Sequence, residues 1–564
     1  MSGLEISGAV FAVVGIAGAF KGAVDSALLI ESFFDIEKSG CRGLALSYHV
    51  EKIRLQLWGE LCHADDNGTP ILQSQPAYLK EVIVRILGEI RNVNEQAKQV
   101  VDKHSLHLPP LPDLTLDDNM QVENALPRAL GKATMRPSAR FRWTIKGKGE
   151  FEQIVAKLRQ LVTDLHALSL HPGNSDLLSR ALPPRVMATI QDADQLALID
   201  NINLPNHRAL ALTARAKTLI SRNSEINLNG SATIIRTEKL SAKGHFLHQG
   251  DSIRSVWIEW NILDDEPDYH KYARMISNLG FFLERVGDPA LRLPPCYGLF
   301  DDQSYLVEHG KRRLGYVFGL PTAEHDAPAT LGRNCYQADL ERHPPRTLAS
   351  LIRDKSFPVP LLGHRFQLAY ALAVAFSQFH AAGWLHKGLH SGNIVFFQYE
   401  TPDTQSVPVD ITKPFVTGFQ YTRPHTATSQ AYSPLDDKDL QCYYHPDVAK
   451  SGFSRRRDLY GLGVILCEIG RWTLVNESAP PIRNSSTTSS RSKNRPKFWS
   501  STEWRDFMTK KVAVDLGWRM GDRYRDVAQA LLRDSLPDDK TCEEMLWVQQ
   551  FREKVVQPLS MCSA

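Results

Sequence analysis

The chain has 564 residues, enough for two or three domains of the usual ~100–200 residues each. Its 43% hydrophobic and 23% charged residues are typical of a folded protein, and a net charge of +3 is too small to indicate nucleic acid as a general partner. The eight cysteines form no C-x-x-C pair, so neither a zinc site nor a disulfide framework is indicated, and a reducing cytosol fits best.

The N-terminal segment from Ile6 to Phe20 (ISGAVFAVVGIAGAF) carries no charge. It lacks the positive region that precedes the apolar core of a signal peptide. As a helix it would be about 22 Å long, short of the ~30 Å hydrocarbon core of a bilayer. Extending it to Ile30 would include Lys21 and Asp25. The segment is therefore apolar enough to enter a membrane and polar enough to stay soluble when packed against protein.

Residues 1–200 show the periodicity of amphipathic helices. Apolar residues recur at helical spacing over 46–61, 79–100, 151–168 and 186–197. Such stripes are usually the core-facing sides of packed helices, so we predict an N-terminal all-α helical bundle over 1–205. A further helix is predicted at 206–222, within a connector that spans 206–231.

A basic stretch separates the second and third stripes. Residues 125–149 contain no acid and many basic side chains. One interpretation is a solvated basic loop. The other is a patch for anionic lipid head groups, since each cation near a membrane surface contributes ~1 kcal/mol. The candidate lipid-binding residues are Arg136, Arg140, Arg142, Lys146 and Lys148.

From about residue 232 the pattern changes. Short β-rich runs replace the long helical stripes, and helices return beyond residue 363. A strand-rich part followed by a helical part predicts a C-terminal two-lobed α+β fold over 232–560. Insertions are predicted near 322–360 and 482–497, and the second has the serine-rich, basic composition of a disordered loop.

The segment 386–393 (HKGLHSGN) has the form of a protein-kinase catalytic loop, H-R-D-L-x-x-x-N, without the aspartate. In kinases that aspartate accepts the proton of the substrate hydroxyl, and the asparagine holds a magnesium ion. His386, Lys387 and Asn393 match the pattern or come close to it, but Gly388 replaces the base. A glycine has no side chain that could orient a nucleophile or accept a proton.

Other segments also resemble the protein-kinase family. Gly418, Phe419 and Gln420 stand where D-F-G is expected, and a glycine cannot bind magnesium there. Asp447, in the sequence H-P-D, occupies the place of A-P-E. Asp458 matches the D-x-W-S-x-G start of a structural helix. The resemblance implies a two-lobed protein-kinase-like fold for the C-terminal half.

The strand-rich part has also lost its nucleotide-binding features. No G-x-G-x-x-G precedes Val256. The V-A-I-K strand is predicted at 256–261, but no lysine is in register there, and Asn261 is taken as the residue at the lysine position. Glycine loop, lysine, base and metal-binding aspartate are thus all missing, and these supply the main terms in phosphoryl transfer. The resemblance therefore implies a pseudokinase. We expect no enzyme activity, no metal and no cofactor, with ATP binding in doubt.

The N-terminal half carries a second set of motifs. A glycine- and alanine-rich apolar start leads to Phe20, the sequence L-Q-L-W-G-E follows at 55–60, and Arg142-Trp143 precedes Phe151. In this order the motifs resemble the HeLo domain of fungal proteins that cause heterokaryon-incompatibility cell death. Joined to a kinase-like half, the layout is similar to the HeLo–kinase architecture of fungi and to the mixed-lineage kinase domain-like executioners of necroptosis.

The resemblance implies a regulated cell-death effector. A signal sensed by the pseudokinase would release the N-terminal helix, and oligomers would then permeabilise the plasma membrane. The expected partners are further copies of the chain, membrane lipids on activation and an upstream activator protein, but no nucleic acid. The expected location is cytoplasmic at rest and the plasma membrane on activation. The membrane-insertion residues would be Ile6, Val10, Phe11, Val13, Val14, Ile16 and Phe20.

Two alternatives remain. In the first, Ile6–Phe20 is a buried core helix of a stable bundle, and the protein is a non-enzymatic signalling scaffold. In the second, which is less favoured, the C-terminal half is a divergent active kinase.

Overall fold

The computed structural model describes the residues 16–27, 42–62, 64, 72, 75–103, 147–169, 172–199, 208–221, 232–235, 240, 246–249, 252–263, 269–320, 336–337, 344–400, 409–419, 423–424, 440–478, 499–538 and 542–564. The chain divides into two compact units. The helical unit comprises residues 1–186 and 190–210, and the mixed unit comprises residues 187–189 and 211–564.

The helical unit contains only helices in its described part, which confirms the all-α prediction. They are the helical residues 16–27, α1 (Arg42–Cys62), α2 (Ala77–Lys103), α3 (Lys148–Ser169), α4 (Pro172–Thr189) and α5 (Ala193–Ile199). Helices α1 and α2 pack against α3, and α5 packs against α1. The apolar stripes face this core, where Tyr48, Trp58 and Phe151 are fully buried. The rings of Tyr48 and Phe151 have their centroids 6.1 Å apart.

The mixed unit begins with α6 and a five-stranded sheet, which supplies the predicted strand-rich part. The elements are α6 (Arg208–Ser221), β1 (Ile234–Ile235), β2 (Phe246–Gln249), β3 (Ser252–Leu263), α7 (Tyr269–Val286), β4 (Cys296–Asp301), α8 (Gln303–His309) and β5 (Arg312–Gly319). The strand order is β1-β4-β5-β3-β2, with β1 parallel to β4 and the other pairs antiparallel. The alternation of β3 packs Val256 into one core cluster and Trp257 against another.

Helices dominate the rest of the mixed unit, together with small sheets. The elements are β6 (Tyr336–Gln337), β7 (Arg346–Thr347), α9 (Leu348–Arg353), α10 (Leu362–Ala381), β8 (Trp384–Leu385), β9 (Ile394–Phe396), β10 (Tyr399–Glu400), β11 (Phe415–Val416), β12 (Arg423–Pro424), α11 (Val448–Ser451), α12 (Arg455–Arg471), α13 (Val475–Ser478), α14 (Ser501–Phe507), α15 (Ala513–Met520), α16 (Asp522–Leu532), α17 (Glu544–Phe551) and α18 (Gln557–Ser560). Helices α10 and α12 pack together and are buried over most of their length.

The predicted change from strands to helices is therefore present, and the second half of the chain is a mixture of helices and small sheets. The helix predicted at 206–222 is α6, most of which belongs to the mixed unit. The insertion predicted at 482–497 lies outside the described residues, as does part of the one predicted at 322–360. Within the described ranges, no helix combines the length and the apolarity needed to cross a bilayer.

Candidate functional site

The helical residues 16–27 are held on the bundle by an aromatic contact. The ring of Phe20 packs against Trp58 of α1, with the centroids 5.7 Å apart. A Cβ atom on Gly59 would lie 2.0 Å from Cζ of Phe20, so the ring sits directly on the backbone of α1. Glycine at position 59, in the W-G-E motif, is what allows this approach. We call the pair Phe20 and Gly59 the apolar clasp.

A buried polar contact supports the apolar clasp. The Nδ2 group of Asn94 on α2 donates to the backbone oxygen of Ala23 and to Oγ of Ser26, at 3.0 Å each. Its Oδ1 atom accepts a 2.7 Å hydrogen bond from the hydroxyl group of Tyr48. The amide is thereby oriented, and it links the N-terminal helical residues to α1 and α2.

The predicted membrane-active residues are only partly within the described chain. Ile16 and Phe20 are 1% and 4% exposed, and they share a buried stripe with Ala23 and Ala27. Ile6, Val10, Phe11, Val13 and Val14 lie outside the described residues, as do Arg136, Arg140, Arg142 and Lys146. Lys148 is exposed at the start of α3, where its Nζ lies 3.8 Å from Glu152.

In the mixed unit, Asp458 organises the loop that connects α10 to β9. Its carboxylate accepts hydrogen bonds from the backbone N–H groups of His386 and Lys387, at 2.9 and 2.7 Å, and lies 2.9 Å from Nε2 of His380. Burial opposes ionisation of Asp458, but the hydrogen bond and charge of His380 hold its pKa below the usual value. Lys387 has a φ of 61° where its N–H meets this carboxylate, so a buried acid shapes the loop.

His386 has both ring nitrogens occupied. Nε2 donates to the backbone oxygen of Thr417 at 2.8 Å, and Nδ1 accepts from the N–H of Gly388 at 3.3 Å. This pairing requires the neutral tautomer with its proton on Nε2. Burial lowers the pKa of His386, which also favours the neutral ring. His386 therefore has a structural role in the loop and offers no free nitrogen for proton transfer.

Asn393 and Gly418 lie in contact with each other. The Nδ2 group of Asn393 donates to the backbone oxygen of Gly388 at 2.7 Å. Gly418 has a φ of +78°, and a Cβ atom on it would lie 2.1 Å from Cγ of Asn393. The amide of Asn393 thus fills the space in which any side chain of residue 418 would begin. The amide of Asn393 is thus held between the backbone of Gly388 and that of Gly418.

The strand β3 contributes an acidic residue to the same place. Oε2 of Glu259 accepts a 3.1 Å hydrogen bond from the N–H of Gly418, and the N–H of Phe419 also donates to this carboxylate. Burial raises the pKa of Glu259 to about 7, although the two backbone hydrogen bonds pull it down. Asn261, the residue predicted at the lysine position, lies two positions along the same face of β3. We call the contact of Glu259 with the 418–419 turn the polar clasp.

Aromatic side chains fill the space beside the polar clasp. Trp257 stacks on Phe318 with the ring centroids 5.2 Å apart, and it meets Phe397 edge-on at 6.2 Å. It packs on a buried apolar cluster formed by Leu320, Val395, Phe397 and Phe415. The space between β3 and the 418–419 turn, called the cleft below, is therefore filled by the protein's own side chains.

Asp447 belongs to a different cluster. Donor atoms of His445, Asp447 and Asp534 lie within 4.8 Å of one another, which makes this the candidate metal site among the described residues. However, Asp534 already accepts a hydrogen bond from Nε2 of His445 at 3.0 Å and lies 3.5 and 3.7 Å from Arg456 and Arg505. Two guanidinium groups oppose a cation, so the cluster is an ion-pair network.

Sequence reasoning did not single out Glu259 or Trp257. Both lie in V-W-I-E, residues 256–259, which can be aligned with V-A-I-K without a gap. Trp257 then takes the alanine position and Glu259 takes the lysine position. The sequence therefore allowed this alignment. It gave no reason to prefer it to the alignment that ends at Asn261, because neither places a lysine at the last position.

One family model matches the chain. Residues 8–199 match HeLo, described as prion-inhibition and propagation, so the helical unit is similar to the HeLo domain. A search of curated proteins gives no match. The HeLo domain suggests a fungal role related to cell death or incompatibility.

Proposed function

We propose that this protein is a regulated cell-death effector, in which an inactive kinase-like unit senses a signal and the HeLo unit disrupts the plasma membrane. The observation that carries the proposal is the HeLo match over 8–199, on a unit whose N-terminal helix is docked by the apolar clasp. The helical residues 16–27 continue the uncharged segment that begins at Ile6.

The order of elements supports a kinase-like fold for the mixed unit. Strands β4, β5, β3 and β2 are consecutive in one sheet, and α7 stands between β3 and β4 in the chain. The loop at 386–393 follows α10 and precedes the paired strands β9 and β11. Asp458 of α12 holds this loop by its backbone.

Four features support the absence of phosphoryl transfer. Gly388 offers no base, and Gly418 offers no metal ligand. Glu259 offers no positive charge to the phosphates of a nucleotide, whereas a kinase presents a lysine there. The side chain of Trp257 packs on an apolar cluster and fills the space next to Glu259. We therefore propose a sensor that works by conformation, without a cofactor.

The chemistry of the N-terminal helix supports release and assembly. Gly18 is exposed and a Cβ atom there would meet no heavy atom within 4 Å, so a second helix could approach closely. Lys21 and Asp25 are exposed on the docked helix and would be costly against lipid. Oligomerisation would shield them, which is why we propose self-association at the membrane, with an upstream protein as activator.

A non-enzymatic scaffold is the second candidate, and the burial of Ile16 and Phe20 favours it. Burial in the resting state is expected for a permanent core helix and also for a helix that is released on activation. Only behaviour at a membrane separates the two functions.

The test uses a fragment of residues 1–210, which covers the helical unit, and the full chain as the resting form. We expect the fragment to release dye from vesicles that contain anionic lipid and to kill fungal cells, and the full chain to do neither without its signal. Deleting residues 1–20 from the fragment should abolish both effects, and Val13→Asp should weaken them. A folded fragment that neither leaks vesicles nor kills would favour the scaffold.

The kinase alternative has a direct test. Transfer of radiolabelled phosphate by the full chain with magnesium and ATP, lost in Asn393→Ala, would replace the sensor proposal with a divergent kinase. We expect no transfer above a no-enzyme control.

A further inference from the structure

Strand β3 presents alternate side chains to the cleft of the mixed unit. Trp257, Glu259 and Asn261 lie on one face of the strand, because successive side chains of a strand point to opposite sides. Trp257 packs on aromatic rings, whereas Glu259 reaches the backbone of the 418–419 turn. The strand is thus tied to the turn by one apolar and one polar contact.

The polar contact lacks the usual partner of a buried acid. Oε2 of Glu259 accepts from Gly418, but Oε1 is buried without a hydrogen-bond partner in the described chain. No ion pair to Glu259 is present among the described residues. A carboxylate in this state is costly, so the contact is poised between a closed and a more hydrated arrangement.

The turn that Glu259 holds is itself tightly built. Gly418 is in the left-handed region, and the side chain of Asn393 rests on it. Phe419 is buried, and the centroid of its ring lies 5.4 Å from that of His386 and 6.5 Å from that of Phe318. A movement of the turn would therefore be transmitted both to the 386–393 loop and to β5.

We propose that Glu259 is a latch that keeps the cleft of the mixed unit closed by holding β3 on the 418–419 turn. With the latch engaged, Trp257 and the carboxyl group occupy the cleft. With it released, the two backbone N–H groups of the turn lose their acceptor and the turn separates from β3. The latch stands on the geometry of the mixed unit, and only its consequence, that opening signals to the HeLo unit, rests on the proposed function.

Protonation should control this latch. The titratable groups around Glu259 are Tyr316, its cross-strand neighbour on β5, Cys296 on β4 and Glu284 on α7, with His386 beyond Phe419. Tyr316 donates to the backbone oxygen of Ile276, and burial raises the pKa of Cys296 to about 12, so that thiol stays neutral. Glu284 accepts from the N–H and hydroxyl of Thr233. None of these groups is a cation that would stabilise an ionised Glu259.

The direction of the pH effect follows from the raised pKa. Burial raises the pKa of Glu259 to about 7, so the closed cleft favours the protonated form. The stabilisation is fully present below the ordinary carboxyl pKa and is lost as the pH rises through about 7. The latch should therefore hold at acid pH and release at alkaline pH.

The experiment is amide hydrogen exchange on the full chain from about pH 4.5 to pH 8, which spans the ordinary and the raised pKa of Glu259, corrected for intrinsic exchange rates. In the wild type we expect the protection of the 418–419 amides to fall by up to ~10-fold per pH unit between the ordinary carboxyl pKa and about 7, and to level off above that. Glu259→Gln keeps the acceptor oxygen and removes the titration, so its protection should stay flat. Glu259→Ala should show low protection at every pH.

Glu468→Gln is the matched control, because Glu468 is a buried acid of the same unit with a similarly raised pKa and no contact with the turn. It should keep the wild-type profile at 418–419. Identical profiles in wild type and Glu259→Gln would overturn the latch, as would full protection in a folded Glu259→Ala. No membrane or cell enters this measurement, so a failed latch can be told apart from a failed effector proposal.

Discussion

The helical unit and the mixed unit each hold a segment in place on a glycine, but by opposite chemistry. A Cβ atom on Gly59 would meet the ring of Phe20 at 2.0 Å, and one on Gly418 would meet the amide of Asn393 at 2.1 Å. The first contact is a ring on a helix backbone. The second involves an amide and, through the backbone N–H, the carboxyl group of Glu259.

The difference teaches which conditions can open each contact. The free energy gained by burying an aromatic ring depends on the apolar area removed from water and hardly on pH. A contact built on a buried carboxyl group depends on its protonation. We therefore expect the apolar clasp to open when another protein surface competes for the ring of Phe20. The polar clasp, in contrast, can open when the charge of Glu259 changes. The following predictions are meant to separate the two.

Truncating Phe20 should have the largest effect. Phe20→Ala in residues 1–210 should lower the free energy of unfolding by ~3–5 kcal/mol, since it removes a buried ring and leaves a cavity over Gly59. Denaturant unfolding followed by circular dichroism measures this. Gly59→Ala should also destabilise, because its methyl group displaces the ring.

The double variant makes the comparison sharper. In Phe20→Ala/Gly59→Ala the new methyl group occupies space that the ring has left, so the two costs should not add. Gly43→Ala is the control on the same helix, because a Cβ atom there meets no heavy atom within 4 Å. Additive costs would mean that Phe20 and Gly59 are not in contact in solution.

The pH dependence of the mixed unit should be the next largest effect. Burial raises the pKa of Glu468 to about 7, while Tyr443 and the N–H of Val475 donate to it at 2.7 and 3.0 Å. Its stabilisation is present at acid pH and lost as the pH rises through about 7. The mixed unit should lose about 3 kcal/mol of stability from this group between pH 5 and pH 8.

Glu468→Gln should reduce that dependence and leave the part that comes from Glu259, because the amide keeps the accepting oxygen and cannot ionise. Thermal unfolding at a series of pH values measures it. The helical unit provides the internal reference, because Glu468 does not belong to it. A mixed unit that becomes more stable as the pH rises from 5 to 8 would contradict the prediction.

Sequence patterns anticipated the elements better than their contacts. The stripes over 79–100 and 151–168 gave the helices and their buried faces, since helical period and burial are both local properties. The contact of Phe20 with Gly59 joins distant positions, and periodicity does not say which partner a buried face meets. The segments 6–14 and 136–146 stay predictions.

The register of β3 shows a second limit. The alternation of a strand places Trp257, Glu259 and Asn261 on one face, and only the position of the 418–419 turn decides which side chain reaches it. In an active kinase the lysine would settle that choice from sequence. In this chain no lysine marks the strand, and the side chain that reaches the turn is the acid Glu259.

A smaller effect should isolate the steric part of the polar clasp. Gly418→Ala places a Cβ atom on Asn393 and also requires a positive φ. Gly452→Ala requires a similar φ, +71°, but its Cβ atom meets nothing within 4 Å. The difference between the two variants in the free energy of unfolding should be ~1–3 kcal/mol, the cost of overpacking. Equal costs would show that Asn393 does not rest on Gly418.

The smallest expected effect is on activity, from restoring the missing base. Gly388→Asp supplies a carboxyl group at the position of the kinase aspartate, yet we expect no phosphate transfer above that of Gly388→Ala in a radiolabel assay. The reason lies in the polar clasp. Asn393 donates its amide to the backbone oxygen of Gly388 and packs on Gly418, and Glu259 brings an acid and no cation to the 418–419 turn. A general base cannot promote phosphoryl transfer when the phosphates and the metal ion are not held in position. Transfer by Gly388→Asp alone would mean that the cleft opens readily in solution, and the contrast between the two clasps would then lose its polar side.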